Sequence, residues 1–174
     1  NNNTALGYQA GYSNTTGIEN TFVGRGAANA NTTGQHNAVF GDYAYGAGST
    51  GSYNTAIGKN ALRFNTTASN NTAVGYQALY SNTTGAYNVG IGYQAVYANT
   101  TQNYNIGIGY FALKSEATGS ANTAMGHASL EDSNGGSSNT AYGYGTARNT
   151  TTGSNNTAVG RDALKSNTTA NNNT

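Results

Sequence analysis

Apolar and polar residues follow one another along this chain in a pattern that returns every 17 residues, with no insertion or deletion. We number the positions of each repeat from 1 to 17, beginning at a recurring asparagine. Position 4 is always apolar, position 3 is small or apolar, and positions 8 and 9 are mostly Ala followed by Leu, Val or Ala. Positions 12–15 are polar, as in the Asn-Thr-Thr-Gly segments at 14–17, 31–34 and 82–85. Such internal repeats fix the architecture of a protein.

Two columns of the repeat do not vary. Asparagine fills position 1, at Asn3, Asn20, Asn37, Asn54, Asn71, Asn88, Asn105, Asn122, Asn139 and Asn156. Glycine fills position 5, at Gly7, Gly24, Gly41, Gly58, Gly75, Gly92, Gly109, Gly126, Gly143 and Gly160. These asparagines mark the starts of ten repeats. We expect residues 1–174 to be a single repeat array, a segment of a longer fibre.

The period predicts an all-β fold. Seventeen residues are too few for a pair of helices, and Gly, Asn and Thr are poor helix formers. A short strand at positions 2–4 and a second strand near positions 7–10, joined by turns, fit the pattern better. Each repeat would then be one coil of a ten-coil parallel β-solenoid, or β-roll. Stacking of the coils at about 4.7–4.9 Å would give a rod roughly 47 Å long.

This geometry explains the two unvarying columns. The position-1 asparagines are expected to form a ladder in which each amide hydrogen-bonds the coils above and below. Glycine at position 5 indicates a backbone conformation closed to other residues, or a close approach between coils. Both columns are therefore predicted to be architectural, as the neighbour contacts of repeat proteins require.

The distribution of apolar residues favours a homo-oligomer. Positions 3 and 4 are adjacent, so their side chains lie on opposite faces of a strand, and both are apolar. A strand of this kind has one face toward the interior of the coil and the other toward a partner chain. Few large aliphatic side chains are available to each coil, which also favours assembly with copies of itself. We expect a bundle of three solenoids.

The repeat resembles a known family of surface proteins. Residues 71–79 read N-T-A-V-G-Y-Q-A-L, and residues 54–62 read N-T-A-I-G-K-N-A-L. These segments resemble the A-I-G-x-x-A core of the head repeats of YadA-like trimeric autotransporter adhesins. The whole chain is similar to the repeat arrays of bacterial and phage tail-fibre-domain proteins. The resemblance implies a left-handed, trimeric β-roll that is extracellular, on a cell surface or virion, and acts as a shaft or adhesive head.

Charge and composition exclude several classes of ligand and site. The chain carries seven basic and six acidic residues, only 7% charged residues in all, and they do not cluster. This balance does not support a nucleic-acid interface. Cysteine is absent, so neither disulfides nor cysteine-based metal sites are possible. No apolar run reaches the ~18 residues of a membrane span.

Catalysis is not expected. The two histidines, His36 and His127, occupy different repeat positions, and no Ser/His/Asp set recurs. Residues 90–95 and 107–112 read G-x-G-x-x-A, but this match to a dinucleotide fingerprint arises from the repeat itself and lacks the required helix. We therefore predict no cofactor, no metal and no catalytic residue.

The chain is rich in N-x-(S/T) sequons. Six of them place their asparagine at position 12, at Asn14, Asn31, Asn65, Asn82, Asn99 and Asn167. Five lie elsewhere, at Asn2, Asn70, Asn149, Asn155 and Asn172. Position 12 belongs to the polar turn, so we expect its asparagines to be exposed and open to glycosylation. The alternative interpretation is that Asn, Thr and Gly are simply good turn residues.

Two further columns of side chains suggest that the chain binds a ligand. Paired threonines at positions 13 and 14 suggest an ice-binding ladder, although the flanking Asn and Gly indicate a curved turn. Tyrosines at positions 6 and 10 suggest either binding of sugar rings or stacking that stiffens the rod.

Together these features predict a structural shaft or adhesive segment of an extracellular fibre. Its expected partners are copies of itself, with covalent glycans or a cell-surface receptor as further candidates. The first alternative is a glycan-coated extracellular filament. A less favoured one is a solenoid that binds ice or carbohydrate.

Overall fold

The computed structural model describes residues 2–174 and contains ten short strands in one parallel sheet, which is the all-β solenoid that the repeat predicts. The strands follow one another across the sheet in sequence order, and each contacts only its neighbours. One strand occupies positions 2–4 of each repeat: β1 (Thr4–Leu6), β2 (Thr21–Val23), β3 (Ala38–Phe40), β4 (Thr55–Ile57), β5 (Thr72–Val74), β6 (Val89–Ile91), β7 (Ile106–Ile108), β8 (Thr123–Met125), β9 (Thr140–Tyr142) and β10 (Thr157–Val159).

The 17-residue register is kept at every strand pairing. In the centre of the rod, Ala56 pairs with Ala73, and Ile57 pairs with Val74. Equivalent positions therefore stack directly on one another along the rod. The side-chain period of a strand is two residues, so a slip of one residue would move each column to the wrong face.

The second strand expected near positions 7–10 does not form in the described coils, and that expectation is wrong. Positions 7 and 9 have positive φ in every coil, for example 54° at Gln77 and 51° at Leu79. A strand requires extended φ values at successive residues, so this alternation bends the chain instead. The segment is a turn that wraps around the core.

The core is thin and continuous. Position 3 of the strand points inward, and positions 8 and 9 of the turn close over it. In the fifth coil these residues are Ala73, Ala78 and Leu79, all completely buried. The opposite orientation of positions 3 and 4 is confirmed, because β2 to β10 bury position 3 and leave position 4 partly or largely exposed.

The position-5 glycines combine a special conformation with a close approach, as the sequence predicts. Gly75 has φ of +130°, which other residues rarely adopt. A Cβ atom at Gly75 would lie 2.5 Å from the carbonyl oxygen of Gly92 in the next coil. Neither condition can be met by another L-residue without moving the backbone, which explains why the column does not vary.

Among residues 2–174, no helix is long and apolar enough to cross a lipid bilayer.

Candidate interaction surface and side-chain ladders

The position-1 asparagines form the predicted ladder, with one difference in its bonding. The Nδ2 group of Asn71 donates to the Gly85 carbonyl of its own coil at 2.9 Å. The Oδ1 atom of Asn71 accepts from the backbone N–H of Asn88 in the next coil, also at 2.9 Å. The ladder therefore joins amides mainly to backbone, and the same pattern runs from Asn3 to Asn173.

A second asparagine ladder lies at position 12, inside the coil. The Nδ2 group of Asn82 donates to Oδ1 of Asn65 at 2.8 Å, and that of Asn99 donates to Oδ1 of Asn82 at 2.8 Å. Asn82 also donates to the Gly85 carbonyl at 2.9 Å. Each position-15 carbonyl here accepts two amide N–H groups, one from position 1 and one from position 12.

This second ladder corrects the expectation that position 12 is exposed. Asn31, Asn65, Asn82 and Asn99 are completely buried. Their Nδ2 atoms, to which a glycan would be attached, donate to oxygen atoms within the coils, so the folded rod has no room for a sugar there. Asn14 and Asn167, in the first and last coils, and Asn149, at position 11, are half-buried.

The remaining sequons lie at position 17, on the surface. Their asparagines are exposed and have positive φ, at Asn2, Asn70, Asn155 and Asn172. Asparagine tolerates this conformation better than most residues do. Within residues 2–174, these four are the exposed sequon asparagines.

A third ladder, which the sequence pattern does not predict, lies at position 16. The Oγ atom of Ser52 accepts the backbone N–H of Gln35 in the preceding coil at 3.0 Å. Ser137 accepts from the N–H of Ser120 in the same way at 3.2 Å. Each coil has only a three-residue strand, so these side chains satisfy backbone donors that a wider sheet would satisfy.

The outer column, which we define as the position-4 side chains, is the main candidate interaction surface. Every member is apolar, and the column runs along one side of the rod: Leu6, Val23, Phe40, Ile57, Val74, Ile91, Ile108, Met125, Tyr142 and Val159. In the middle of the rod Ile57 and Ile91 are 40% and 37% exposed. The interior is already filled from position 3, so these side chains have no core of their own. A continuous exposed apolar stripe is typical of an interaction site.

An aromatic stack occupies position 6 in the second half of the rod. Its members are Tyr76, Tyr93, Tyr110, His127 and Tyr144, with successive ring centroids 4.9–5.2 Å apart. Arg161 lies over the last ring at 5.4 Å. Tyr93, Tyr110 and His127 each have a neighbouring ring stacked on both faces. A sugar ring needs an open aromatic face, so this arrangement favours stiffening of the rod over carbohydrate binding.

In the second, third and fourth coils, position 6 carries the charged residues Arg25, Asp42 and Lys59 instead. Asp42 accepts hydrogen bonds from Arg25 at 2.8 and 3.1 Å, and Lys59 lies 3.6 Å from it on the other side. The hydrogen bond from Arg25 lowers the pKa of Asp42. The three groups form an alternating surface ladder, and exposed ion pairs of this kind add little stability.

The threonine columns differ from one another. At position 13, the hydroxyl of Thr83 donates to the carbonyl of Thr100 at 3.0 Å, and Thr66 donates to Thr83 at 3.1 Å. At position 14 the threonines are exposed, as at Thr67 and Thr84. One row of hydroxyls is therefore engaged by the backbone, and only a single row faces solvent.

The two histidines lie apart, at different repeat positions. His36 lies 3.0 Å from Glu19 at position 17, whereas His127 lies in the aromatic stack. Within residues 2–174, no three His, Asp or Glu side chains lie close enough together to hold a metal ion. The two G-x-G-x-x-A segments begin at Gly90 and Gly107, which are buried in β6 and β7 and are followed by turns.

No protein-family model matches this chain, and no curated protein or solved structure matches it.

Proposed function

We propose that this chain is a structural shaft segment of an extracellular fibre, in which copies of the chain associate side by side through the outer column. The supporting observation is that column: an apolar residue in every coil, facing outward on a rod whose interior is already filled. Burial of such side chains against another copy is favourable at about 25 cal/mol per Å² of apolar surface.

The proposed assembly is a homotrimer. The number three comes from the resemblance of the repeats to trimeric adhesin heads and tail-fibre arrays. The mechanical role agrees with what each coil contains, namely ladders of hydrogen bonds and stacked rings, and the proposal assigns no catalysis to it.

Native mass spectrometry of the chain at micromolar concentration tests this proposal. The unaltered chain should give the mass of three copies. Ile57→Lys combined with Ile91→Lys places two charges in the outer column and should yield monomers. The matched control is Thr67→Lys combined with Thr101→Lys, which places the same charges at exposed position 14 of the same two coils and should leave the trimer intact.

Two results would contradict the proposal. One is a monomeric unaltered chain. The other is assembly of the double lysine variant in the outer column as readily as of its control, because the column would then lie outside the interface.

A second candidate, a glycan-coated filament, is favoured by the exposed sequons at position 17. In this version the sugars would be attached at Asn70 and Asn155, which lie on the surface of complete coils. Intact mass before and after enzymatic deglycosylation of the natively produced protein distinguishes the two candidates. A mass loss that vanishes in Asn70→Gln and Asn155→Gln would support the coated filament, whereas an unchanged mass would leave the bare shaft.

A further inference from the structure

The turn of the eighth coil differs from the others in a way that creates reactive chemistry. It carries Asn134 at position 13 and Gly135 at position 14, where most coils have two threonines. The sequence contains 28 asparagines, and Asn134 alone is followed by glycine. The side chain of Asn134 is exposed, and Gly135 has φ of +130°. With no side chain on the following residue, an asparagine amide can be approached by the backbone nitrogen of that residue.

That nitrogen also faces a proton acceptor. The N–H of Gly135 donates to Oε1 of Glu116 at 3.2 Å. Glu116 replaces the position-12 asparagine in the seventh coil and is completely buried. Its other carboxylate oxygen accepts from the Ser133 hydroxyl at 2.6 Å. These bonds hold the carboxylate in place against the backbone of the next coil, within the distance that a general base requires.

We propose that Asn134 and Gly135 form a self-modifying site with Glu116 as its general base. The Gly135 nitrogen bonds to Cγ of Asn134 while its proton passes to Glu116. The Cγ–Nδ2 bond then breaks, and ammonia leaves with the proton that Glu116 returns. Water opens the resulting succinimide at either carbonyl, giving aspartate or isoaspartate. The overall reaction consumes one water, releases one ammonia and needs no oxidant or reductant.

The product affects the contact between two coils. The N–H of Asn134 donates to the Thr151 carbonyl at 2.9 Å, and the N–H of Gly136 donates to the same oxygen at 3.4 Å. An isoaspartyl linkage adds one methylene to the backbone between these donors. The two bonds cannot then keep the register that stacks the eighth coil on the ninth.

The experiment follows the native chain during incubation at mildly alkaline pH, with peptide mapping by mass spectrometry and an isoaspartyl methyltransferase assay. We expect a gain of one mass unit and methylatable isoaspartate in the peptide that contains Asn134, before any other asparagine reacts. Asn134→Thr, which installs the usual position-13 residue, should abolish both signals.

Glu116→Gln removes the base and keeps the shape of the side chain, and its conversion should be at least about tenfold slower. Glu116→Asn restores the usual position-12 residue and should also react slowly while remaining folded by circular dichroism, so a slow rate cannot be attributed to misfolding. No mass gain at Asn134, or an earlier reaction elsewhere, would overturn the site. An unchanged rate in both Glu116 variants would overturn the role of the carboxylate.

Discussion

The third and fifth coils perform the same hydrogen bonding with different atoms. In the fifth coil the Gly85 carbonyl accepts from Asn71 and from Asn82 at position 12. In the third coil, which begins at Asn37, position 12 is Gly48 and has no side chain. The Gly51 carbonyl there accepts from Asn37 and from the hydroxyl of Tyr45, both at 3.0 Å.

In these two coils the position-15 carbonyl accepts a second side-chain donor, which comes from position 12 in the fifth coil and from Tyr45 in the third. Tyr45 is at position 9, where the fifth coil has Leu79, and its phenol ring reaches across the core to where an asparagine would lie. A Cβ atom at Gly48 would overlap that ring. The two substitutions therefore depend on each other, and neither should be tolerated alone.

The largest expected loss of unfolding free energy is the same in both coils, because both have the position-5 glycine. Gly41→Ala and Gly75→Ala combine a strained φ with overlap against the next coil, and each should cost about 4 kcal/mol or more. Denaturant unfolding measures the cost. Gly160→Ala separates the two causes, because φ is +116° but nothing lies within 4 Å of the added atom. A loss at Gly160 as large as at Gly75 would show that overlap between coils contributes nothing.

The next effect distinguishes the two coils. Gly48→Asn should destabilise the chain by about 3 kcal/mol, since the new side chain competes with the Tyr45 ring for space. Adding Tyr45→Leu recreates the Leu and Asn pair of the fifth coil and should restore stability to within about 1 kcal/mol. A double-mutant cycle by denaturant unfolding measures the coupling. Additive effects of the two changes would refute the interdependence.

A smaller loss is expected in the fifth coil. Asn82→Ala removes the donor to Asn65 and the acceptor for Asn99, leaving buried polar atoms without partners, at a cost of about 2–3 kcal/mol. Thr84→Ala, at the exposed position 14 of the same coil, is the control and should change stability by less than about 0.5 kcal/mol. The two variants are compared by their midpoints of thermal unfolding. Equal midpoints would show that the second ladder does not stabilise the chain.

The buried tyrosine of the third coil should make the stability of the chain fall at alkaline pH. Burial raises the pKa of Tyr45 to about 12, above the value of 10.0 for a free tyrosine. The folded state therefore favours the neutral phenol, and this stabilisation is fully present below pH ~10 and declines as pH rises toward ~12. Unfolding free energy measured across this window should fall by up to roughly 2–3 kcal/mol. Tyr45→Phe cannot ionise there and should lack this component of the decline; an identical decline in both proteins would count against it.

Much of the fold could be predicted from the sequence because its columns are strict. The apolar pair at positions 3 and 4 indicated a strand with two different faces, and the glycine at position 5 indicated a constraint on the backbone. The local composition did not indicate which polar turn is exposed, at position 17, and which is buried, at position 12. Asn70 and Asn82 both lie among Thr, Ser and Gly, yet one faces solvent and the other donates within the core.

One signal for the buried position 12 was present in the sequence. The single repeat with glycine at position 12 is also the single repeat with tyrosine at position 9. Coupled exceptions of this kind indicate contact within a coil. No feature of the sequence indicated that positions 7–10 would form a turn and not a second strand. The positive φ values at positions 7 and 9 fall on residues such as Gln77 and Leu79, which do not favour this conformation.

Each strand contacts only its two neighbours, and every repeat has the same number of residues. Gain or loss of one whole repeat would therefore leave the remaining stack intact. In-frame duplication or deletion within the gene could lengthen or shorten the reach of the rod in steps of one coil. No compensating mutation elsewhere would be needed, so the span of such a molecule can be adjusted by recombination alone.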